Sequence, residues 1–207
     1  MSENHPRLPG RIAPAGHGDS PAAWPVASTT PRYESSFLNV RTDVIVDPTG
    51  EQHERVVVQP RGAVAVLALD EDSRVLLVEQ YRHPVRARLL ELPAGILDIE
   101  GESALAAAQR ELIEEGDVAA ADWAEILELC STPGYSTEQW RVYRATDLSP
   151  VPHGERAQRH AEEADLEQWW MPVDDAVQAI FDGRISNALA IVAIMSEVVR
   201  RSQRSAP

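Results

Sequence analysis

The chain has 207 residues, a formal net charge of −14 and a hydrophobic content of 43%. These values predict one soluble globular domain with at most a small appendage, and the acidic balance argues against a nucleic-acid binder. The sequence shows no apolar run of membrane-spanning length and no signal peptide, and its lone Cys130 suits a reducing compartment. We therefore expect a cytoplasmic protein without membrane or nucleic-acid partners.

Residues 1–31 are rich in proline and contain Trp24 as their only aromatic residue, which predicts a flexible N-terminal arm. Residues 32–60 predict a small antiparallel β unit with strands at Phe37–Arg41, Asp43–Val46 and Arg55–Val58. Such a unit is marginal by itself, so we expect it to pack on the main domain or on another subunit.

Residues 61–203 are predicted to form the main domain. The apolar run Gly62–Leu69 and the following Arg74–Val78 predict two buried strands joined as a hairpin. A helix is predicted at residues 103–115, and Gly116 is expected to end it in the left-handed conformation. Residues 145–165 read as a long polar loop. The other predicted strands are Leu89–Leu92, Ile126–Leu129, Trp140–Arg144 and Trp169–Met171, and the other helices are Asp174–Phe181 and Ala188–Val199.

Three carboxylates in the first of these helices indicate a metal site. Glu111, Glu114 and Glu115 stand at positions i, i+3 and i+4, so a helix places them on one face. Like charges that close destabilise a helix unless a cation lies among them, and Mg²⁺ takes oxygen ligands of this kind together with substrate phosphates. The alternative, which the three residues alone leave open, is a solvated acidic helix face.

The surrounding residues favour the metal site. Gly95, Glu102, the run Arg110-Glu111-Leu112-x-Glu114-Glu115 and Val118 resemble the Nudix box. Two departures are visible: six residues rather than five separate Gly95 from Glu102, and a glycine stands at position 116 where the box has it at 117. Neither departure touches a carboxylate.

The resemblance implies an α/β fold, an α/β/α sandwich with a mixed sheet, preceded here by the small antiparallel β unit. It also implies a hydrolase that cleaves diphosphate linkages with Mg²⁺ or Mn²⁺. Glu111 and Glu115 would be the main metal ligands, with Glu114 as a further ligand and the backbone carbonyl of Ala94 completing the set. Arg110, counted among the catalytic residues, would pair with Glu102 and hold the Gly95 loop against the helix.

A second set of residues resembles the ADP-ribose pyrophosphatases within this family. The set consists of Val78–Arg82, Glu91–Gly95 and Pro133, which lies fifteen residues beyond Val118. This resemblance implies hydrolysis of ADP-ribose to AMP and ribose 5-phosphate. Two alternatives stay open: a pyrophosphatase for other nucleoside diphosphate sugars or dinucleotides such as NADH, and a non-catalytic ADP-ribose sensor.

The same resemblance suggests residues around the substrate. Arg82, Arg88 and Glu138 would bind the substrate, although a surface role is an equal alternative for Arg82. In the loop 145–165, Glu163 would activate water, with Glu162 as the neighbour to compare; an ordinary acidic loop is the alternative. Related enzymes are homodimers that exchange their N-terminal β units, and we expect the same here.

Overall fold

The structure, a computed structural model, describes residues 4–156, 159 and 165–204. Its strands are β1 Val26–Glu34, β2 Leu38–Val46, β3 Gln52–Pro60, β4 Ala63–Ala68, β5 Arg74–Arg82, β6 Ala87–Glu91, β7 Ala94–Ile96, β8 Val118–Cys130, β9 Gln139–Pro150 and β10 Glu167–Pro172. Its helices are α1 Ala104–Gly116, α2 Val173–Phe181 and α3 Ala188–Arg204, with a short 3-10 helix at His153–Glu155. Within the described residues, no helix is both long and apolar enough to cross a membrane.

The main domain contains two sheets. One has the order β7-β4-β9-β8, in which β4 and β9 are parallel and the other pairs antiparallel. The other is antiparallel, with the order β10-β5-β6. The predicted mixed sheet is confirmed by the first of them.

The predicted hairpin of Gly62–Leu69 and Arg74–Val78 is wrong. The two strands, β4 and β5, lie in different sheets and meet at an isolated bridge between Leu69 and Val75. Both edges of β4 are occupied by β7 and β9, so β5 pairs with β6 and β10 instead. Two strands buried on both faces can therefore follow each other in sequence without pairing side by side.

Alternate residues of β4 face two helical layers. Val64, Val66 and Ala68 pack in one cluster with residues of α1, including Leu112. Ala65 and Leu67 pack in the other cluster, with residues of α2 and α3 such as Ile194. Burying a side chain such as Leu67 contributes about 2 kcal/mol, so both faces stabilise the domain. This arrangement confirms the α/β/α sandwich.

The N-terminal sheet has the order β1-β2-β3. Its first strand begins at Val26, inside the range assigned to the arm, and all nine of its residues are exposed. The sheet is attached to the main domain through Val58 of β3: its N–H donates to the carbonyl of Tyr135 (2.8 Å), and its carbonyl accepts from Thr137 N (3.0 Å). The N-terminal sheet therefore docks on the loop that follows Pro133.

The polar stretch predicted as the loop 145–165 is partly strand. β9 continues through Pro150 and pairs with β8 as far as Val118. The interval between β9 and β10 is therefore shorter than predicted, and within it the structure describes residues 151–156, 159, 165 and 166. The pairing of β8 with β9 is what extends the strand, because the local sequence there is polar.

Candidate active site

Helix α1 presents the three predicted carboxylates beside β7. The Ser103 side chain caps its start by accepting a hydrogen bond from Ala106 N at 3.1 Å. Leu112 is fully buried against the sheet and fixes the rotation of the helix about its axis. As a result Glu111 and Glu115 are only 8% and 3% exposed, whereas Glu114 lies further toward solvent.

Gly95 on β7 makes room for Glu111. A Cβ added at Gly95 would lie 1.9 Å from Glu111 Oε1 and 2.1 Å from Glu111 Cδ. The Glu111 carboxylate thus occupies the space that any side chain at position 95 would need. This close approach gives a physical reason for glycine at the first position of the motif.

The neighbouring residue holds the second buried carboxylate. Ala94 N donates a hydrogen bond of 2.8 Å to Glu115 Oε2. Ala94 and Gly95, which pair with β4 through Ala65 and Val64, therefore fix both carboxylates from the sheet side. The role of the Ala94 carbonyl as a metal ligand stays a prediction.

Arg110 joins the loop to the acidic face. Its Nε and Nη2 donate to the two oxygens of Glu102, both at 3.1 Å, and its Nη1 donates to Glu111 Oε1 at 2.6 Å and Glu114 Oε2 at 3.0 Å. The hydrogen bonds from Arg110 lower the pKa of the Glu102 carboxyl, and the bond to Glu102 raises the pKa of Arg110. One guanidinium thus orders three carboxylates around it.

The end of α1 differs from the prediction for Gly116. Gly116 is helical, and the left-handed residue is Asp117, with φ 54° and ψ 25° and an N–H that donates to the carbonyl of Ile113 at 3.2 Å. A Cβ at Gly116 would lie 2.9 Å from Leu76 Cδ2, so this glycine is needed for close packing of α1 on β5. The residue in the left-handed conformation is therefore Asp117, and aspartate adopts this conformation more readily than most residues do.

A cleft of about 610 Å³ opens beside the two buried carboxylates. This volume is in the range of small-molecule sites. It is lined by six of the predicted site residues, Arg82, Ala94, Gly95, Glu111, Glu115 and Glu138. Among its further lining residues are Phe37, Gln80, Glu91, Trp140, Asn187 and Leu189. Most of the predicted metal and substrate residues therefore converge on one cavity, whereas Glu114 and Arg88 are not among its lining residues.

Arg82 lies on the cleft wall at the end of β5 and is held by Glu91 of β6. Its Nη2 donates to Glu91 Oε2 at 2.6 Å, and its Nε lies 3.1 and 3.2 Å from the two Glu91 oxygens. The Glu91 side chain is only 5% exposed, so this is a bidentate pair with one buried member. Gln80 adds a weak contact of 3.4 Å to the same carboxylate. The direction of the Arg82 guanidinium is thereby fixed.

The remaining predicted residues lie in different places. Glu138 lines the cleft, and its N–H donates to Ser136 Oγ at 3.1 Å. Arg88 is on β6, where its Nη2 donates to the backbone carbonyls of Asp165 (2.8 Å) and Glu79 (3.1 Å) while its Nη1 pairs with the Asp165 carboxylate. Glu162 and Glu163 lie outside the described residues.

The donor set beside the cleft suits a hard divalent cation. Glu111, Glu114 and Glu115 offer carboxylate oxygens on one helix face, and Mg²⁺ and Mn²⁺ prefer oxygen ligands. A separate group, Asp47, Glu51 and His53, has ligand atoms within 4.8 Å of one another, and it is the group of the described residues that meets this distance. Asp47 Oδ1 accepts hydrogen bonds from the N–H groups of Thr49 and Glu51, as aspartate commonly does in a turn. The turn therefore explains the position of this carboxylate without a metal.

Sequence reasoning missed the roles of Gln80 and Glu91. The alternation of side chains along a strand places Gln80 and Arg82 on one face of β5, and that signal was present in the sequence. The partner of Arg82 depends on the pairing of β5 with β6, in which Glu91 stands opposite Val78. Local spacing does not give that register.

Comparisons with known proteins agree with the geometry. The family profile described as "NUDIX domain" matches residues 59–190. An ADP-ribose pyrophosphatase of Mycobacterium tuberculosis is 38% identical over 79% of this chain and 78% of its own length. An ADP-ribose pyrophosphatase of Bacillus subtilis is 31% identical over 78% of this chain and 85% of its own length.

A solved structure described as an ADP compounds hydrolase has the same fold. Its TM-score is 0.75 at 20% identity, and the match covers 91% of this chain and 99% of the other. The resemblance carried by Gly95, Glu102, Arg110 and the three glutamates is thus confirmed. The chain belongs to the Nudix family and is a Nudix hydrolase.

Proposed function

We propose that this protein hydrolyses the diphosphate bond of ADP-ribose, with water, to AMP and ribose 5-phosphate, using Mg²⁺ or alternatively Mn²⁺. The observation that carries the proposal is the convergence of Glu111, Glu115 and Arg82 on one cleft of about 610 Å³. A relative that bears the name ADP-ribose pyrophosphatase, at 38% identity, supports the choice of substrate.

The acidic face of α1 would hold the metal. Glu111 and Glu115 would be the main ligands, Glu114 a further one, and the Ala94 carbonyl would complete the set. A bound divalent cation neutralises charge on a diphosphate and lowers the pKa of a coordinated water. Arg110 would act by orientation, because its four hydrogen bonds fix Glu102, Glu111 and Glu114 relative to one another.

The substrate would lie along the wall formed by β5 and β6. Arg82 would contact a phosphate oxygen, since Glu91 already fixes its guanidinium at the edge of the cleft. Glu138 would approach the substrate from the loop after Pro133. Arg88 is the weaker candidate, because its contacts with Glu79 and Asp165 would have to break before it reached the cleft.

A glutamate between β9 and β10 would serve as the general base. By position the base is Glu163, with Glu162 as its neighbour. The Glu163→Gln variant should lower kcat while metal binding is retained, and Glu162→Gln is the matched control. A Glu163→Gln enzyme that ran at the wild-type rate across the pH range would remove Glu163 from this role.

We propose a homodimer with exchanged N-terminal β units in the cytoplasm. The division would be a flexible arm at 1–31, a dimerisation and substrate-contact unit at 32–60 and the hydrolase domain at 61–203. β1 begins at Val26, so the N-terminal sheet extends into the range 1–31. The exposure of every residue of β1, and of Val56 on β3, supports a contact of this sheet with a partner subunit. Deleting residues 33–60 should abolish both dimer and activity, as measured by light scattering and turnover; a fully active wild-type monomer would contradict the dimer.

A panel of substrates separates the alternatives. ADP-ribose, other nucleoside diphosphate sugars and NADH should be compared by kcat/KM with Mg²⁺ and with Mn²⁺. ADP-ribose is expected to rank first. A higher kcat/KM for another compound would reassign the substrate, and ADP-ribose binding without turnover would indicate a sensor.

A further inference from the structure

Helix α1 ends in an electrostatically unfavourable way. Its last turn contains Glu114 and Glu115, and the C-terminal end of a helix already carries partial negative charge on its unpaired carbonyls. Two carboxylates at this end are therefore repelled by the helix, and Glu115 is also repelled by Glu111, which stands four residues before it. A cation from elsewhere in the chain would relieve both effects.

Arg159 supplies this cation from the segment between β9 and β10. Its Nε donates to the carbonyl of Glu114 and its Nη2 to the carbonyl of Glu115, both at 3.0 Å. Gln168 of β10 donates to the Glu115 carbonyl as well, at 2.6 Å. The backbone carbonyls of two of the proposed metal ligands are thus capped by side chains from outside the helix.

Asp117 ties the two capping side chains together. Its Oδ2 accepts from Arg159 Nη2 at 2.8 Å and from Gln168 Nε2 at 3.0 Å, and the residue is only 8% exposed. Ending the helix does not need this carboxylate, because glycine adopts a positive φ with less strain and is what the Nudix box has here. The carboxylate is explained by the contacts that it makes.

We propose that Asp117, Arg159 and Gln168 form a clamp that positions Glu114 and Glu115 to bind the divalent cation, an inference that rests on the proposed function. The three are positioning residues: they contact the helix backbone and act on the carboxylates through it. Arg110 orders the same acidic face from the side of Glu102, so the metal ligands are held from two directions. Loss of the clamp would leave the last turn free to fray.

Mn²⁺ binding without substrate tests the clamp, with free Mn²⁺ measured by electron paramagnetic resonance. Asp117→Gly should raise the Kd for Mn²⁺ roughly 10-fold, as loss of an outer-shell partner does, with the melting temperature maintained because glycine fits the positive φ. Arg159→Ala should raise the Kd too. A charge effect alone would have the opposite sign, since removing a cation tightens binding of Mn²⁺.

Arg156→Ala is the matched control. In the wild-type protein, Arg156 Nε lies 3.9 Å from Asp117 Oδ1 and donates to the carbonyl of Val151 at 3.4 Å, away from the carbonyls of the helix. The Kd of the Arg156→Ala variant for Mn²⁺ should stay at or below the wild-type value. An unchanged or lower Kd in Arg159→Ala would overturn the clamp, whatever Asp117→Gly does, because loss of the Asp117 carboxylate weakens Mn²⁺ binding by charge alone. A rise in Kd accompanied by a large fall in melting temperature would overturn it as well. A wild-type protein that binds Mn²⁺ but leaves ADP-ribose intact would refute the proposed function alone.

Discussion

The Gly95→Ala variant tests whether Glu111 must stand where the structure places it. The added methyl group would lie 1.9 Å from Glu111 Oε1, where real contacts of this kind are at least 3.0 Å. The carboxylate, the strand or both must therefore move by at least 1.1 Å, the difference between the two distances. Residue 95 is held in the sheet by its pairing with Val64, so we expect the side chain of Glu111 to be displaced rather than the strand.

A displacement of this size is large for a metal ligand. Ligand distances in working metal sites stay within about 0.2 Å of their ideal values. A misplacement of about 1 Å in an active site costs roughly 100-fold in rate, or about 2.7 kcal/mol of transition-state stabilisation. We therefore expect Gly95→Ala to lose roughly 100-fold in kcat/KM for ADP-ribose and to bind Mn²⁺ more weakly.

The assay is steady-state turnover with saturating Mg²⁺, together with thermal unfolding of the same preparations. Gly154→Ala is the control, because a Cβ there would meet none of the described atoms within 4 Å. It should keep wild-type turnover. A Gly95→Ala enzyme with wild-type kcat/KM and Mn²⁺ affinity would refute the placement of Glu111 against Gly95.

Three further outcomes are expected at the active site. Chelation by EDTA should abolish turnover, and added Mg²⁺ should restore it without refolding, because apolar packing holds α1 on the sheet. Arg110→Lys should cost roughly 10-fold in kcat/KM, since an ammonium cannot reproduce the bidentate bond to Glu102. Glu91→Gln should raise KM more than it lowers kcat, because it releases Arg82 on the cleft wall while the metal ligands stay in place.

Glu197 should give the fold a distinct acid sensitivity: burial raises its pKa, but hydrogen bonds from Arg200 and Arg201 outweigh this and lower it from 4.5 to about 2. A depressed folded-state pKa stabilises the fold above pH 4.5, and this contribution of roughly 3 kcal/mol is lost as the pH falls from 4.5 to about 2. Unfolding of Glu197→Gln by denaturant should be less pH-dependent over that range, and an unchanged pH dependence would contradict the assignment.

The acidic helix was predictable because the residues that determine it lie close together in the sequence. The spacing of Glu111, Glu114 and Glu115 defines one face, and Ser103 and Leu112 fix where the helix begins and which side is buried. The position of Gly95 relative to this face could be inferred only from the family resemblance. Its physical reason, the carboxylate that fills the place of a side chain, required the structure.

The errors arose where contacts between distant residues decide the outcome. Whether β4 pairs with β5 depends on β9, which lies more than seventy residues later and occupies an edge of β4. The boundary predicted at residue 31 lies inside β1, because Pro31 belongs to an edge strand, which tolerates a missing N–H. The clamp on α1 joins Asp117 to Arg159 and Gln168, and local spacing gives no sign of that contact.

Glu115 and its neighbours on α1 are proposed to support hydrolysis of ADP-ribose. The most direct test compares AMP release from ADP-ribose by the wild-type protein and by Glu115→Gln, with Mg²⁺ and equal folded concentrations. We expect the wild-type protein to release AMP and ribose 5-phosphate in equal amounts. The variant should lose more than the roughly 100-fold that loss of an outer-shell partner costs. Wild-type turnover by Glu115→Gln, or no AMP from the wild-type protein, would contradict the account.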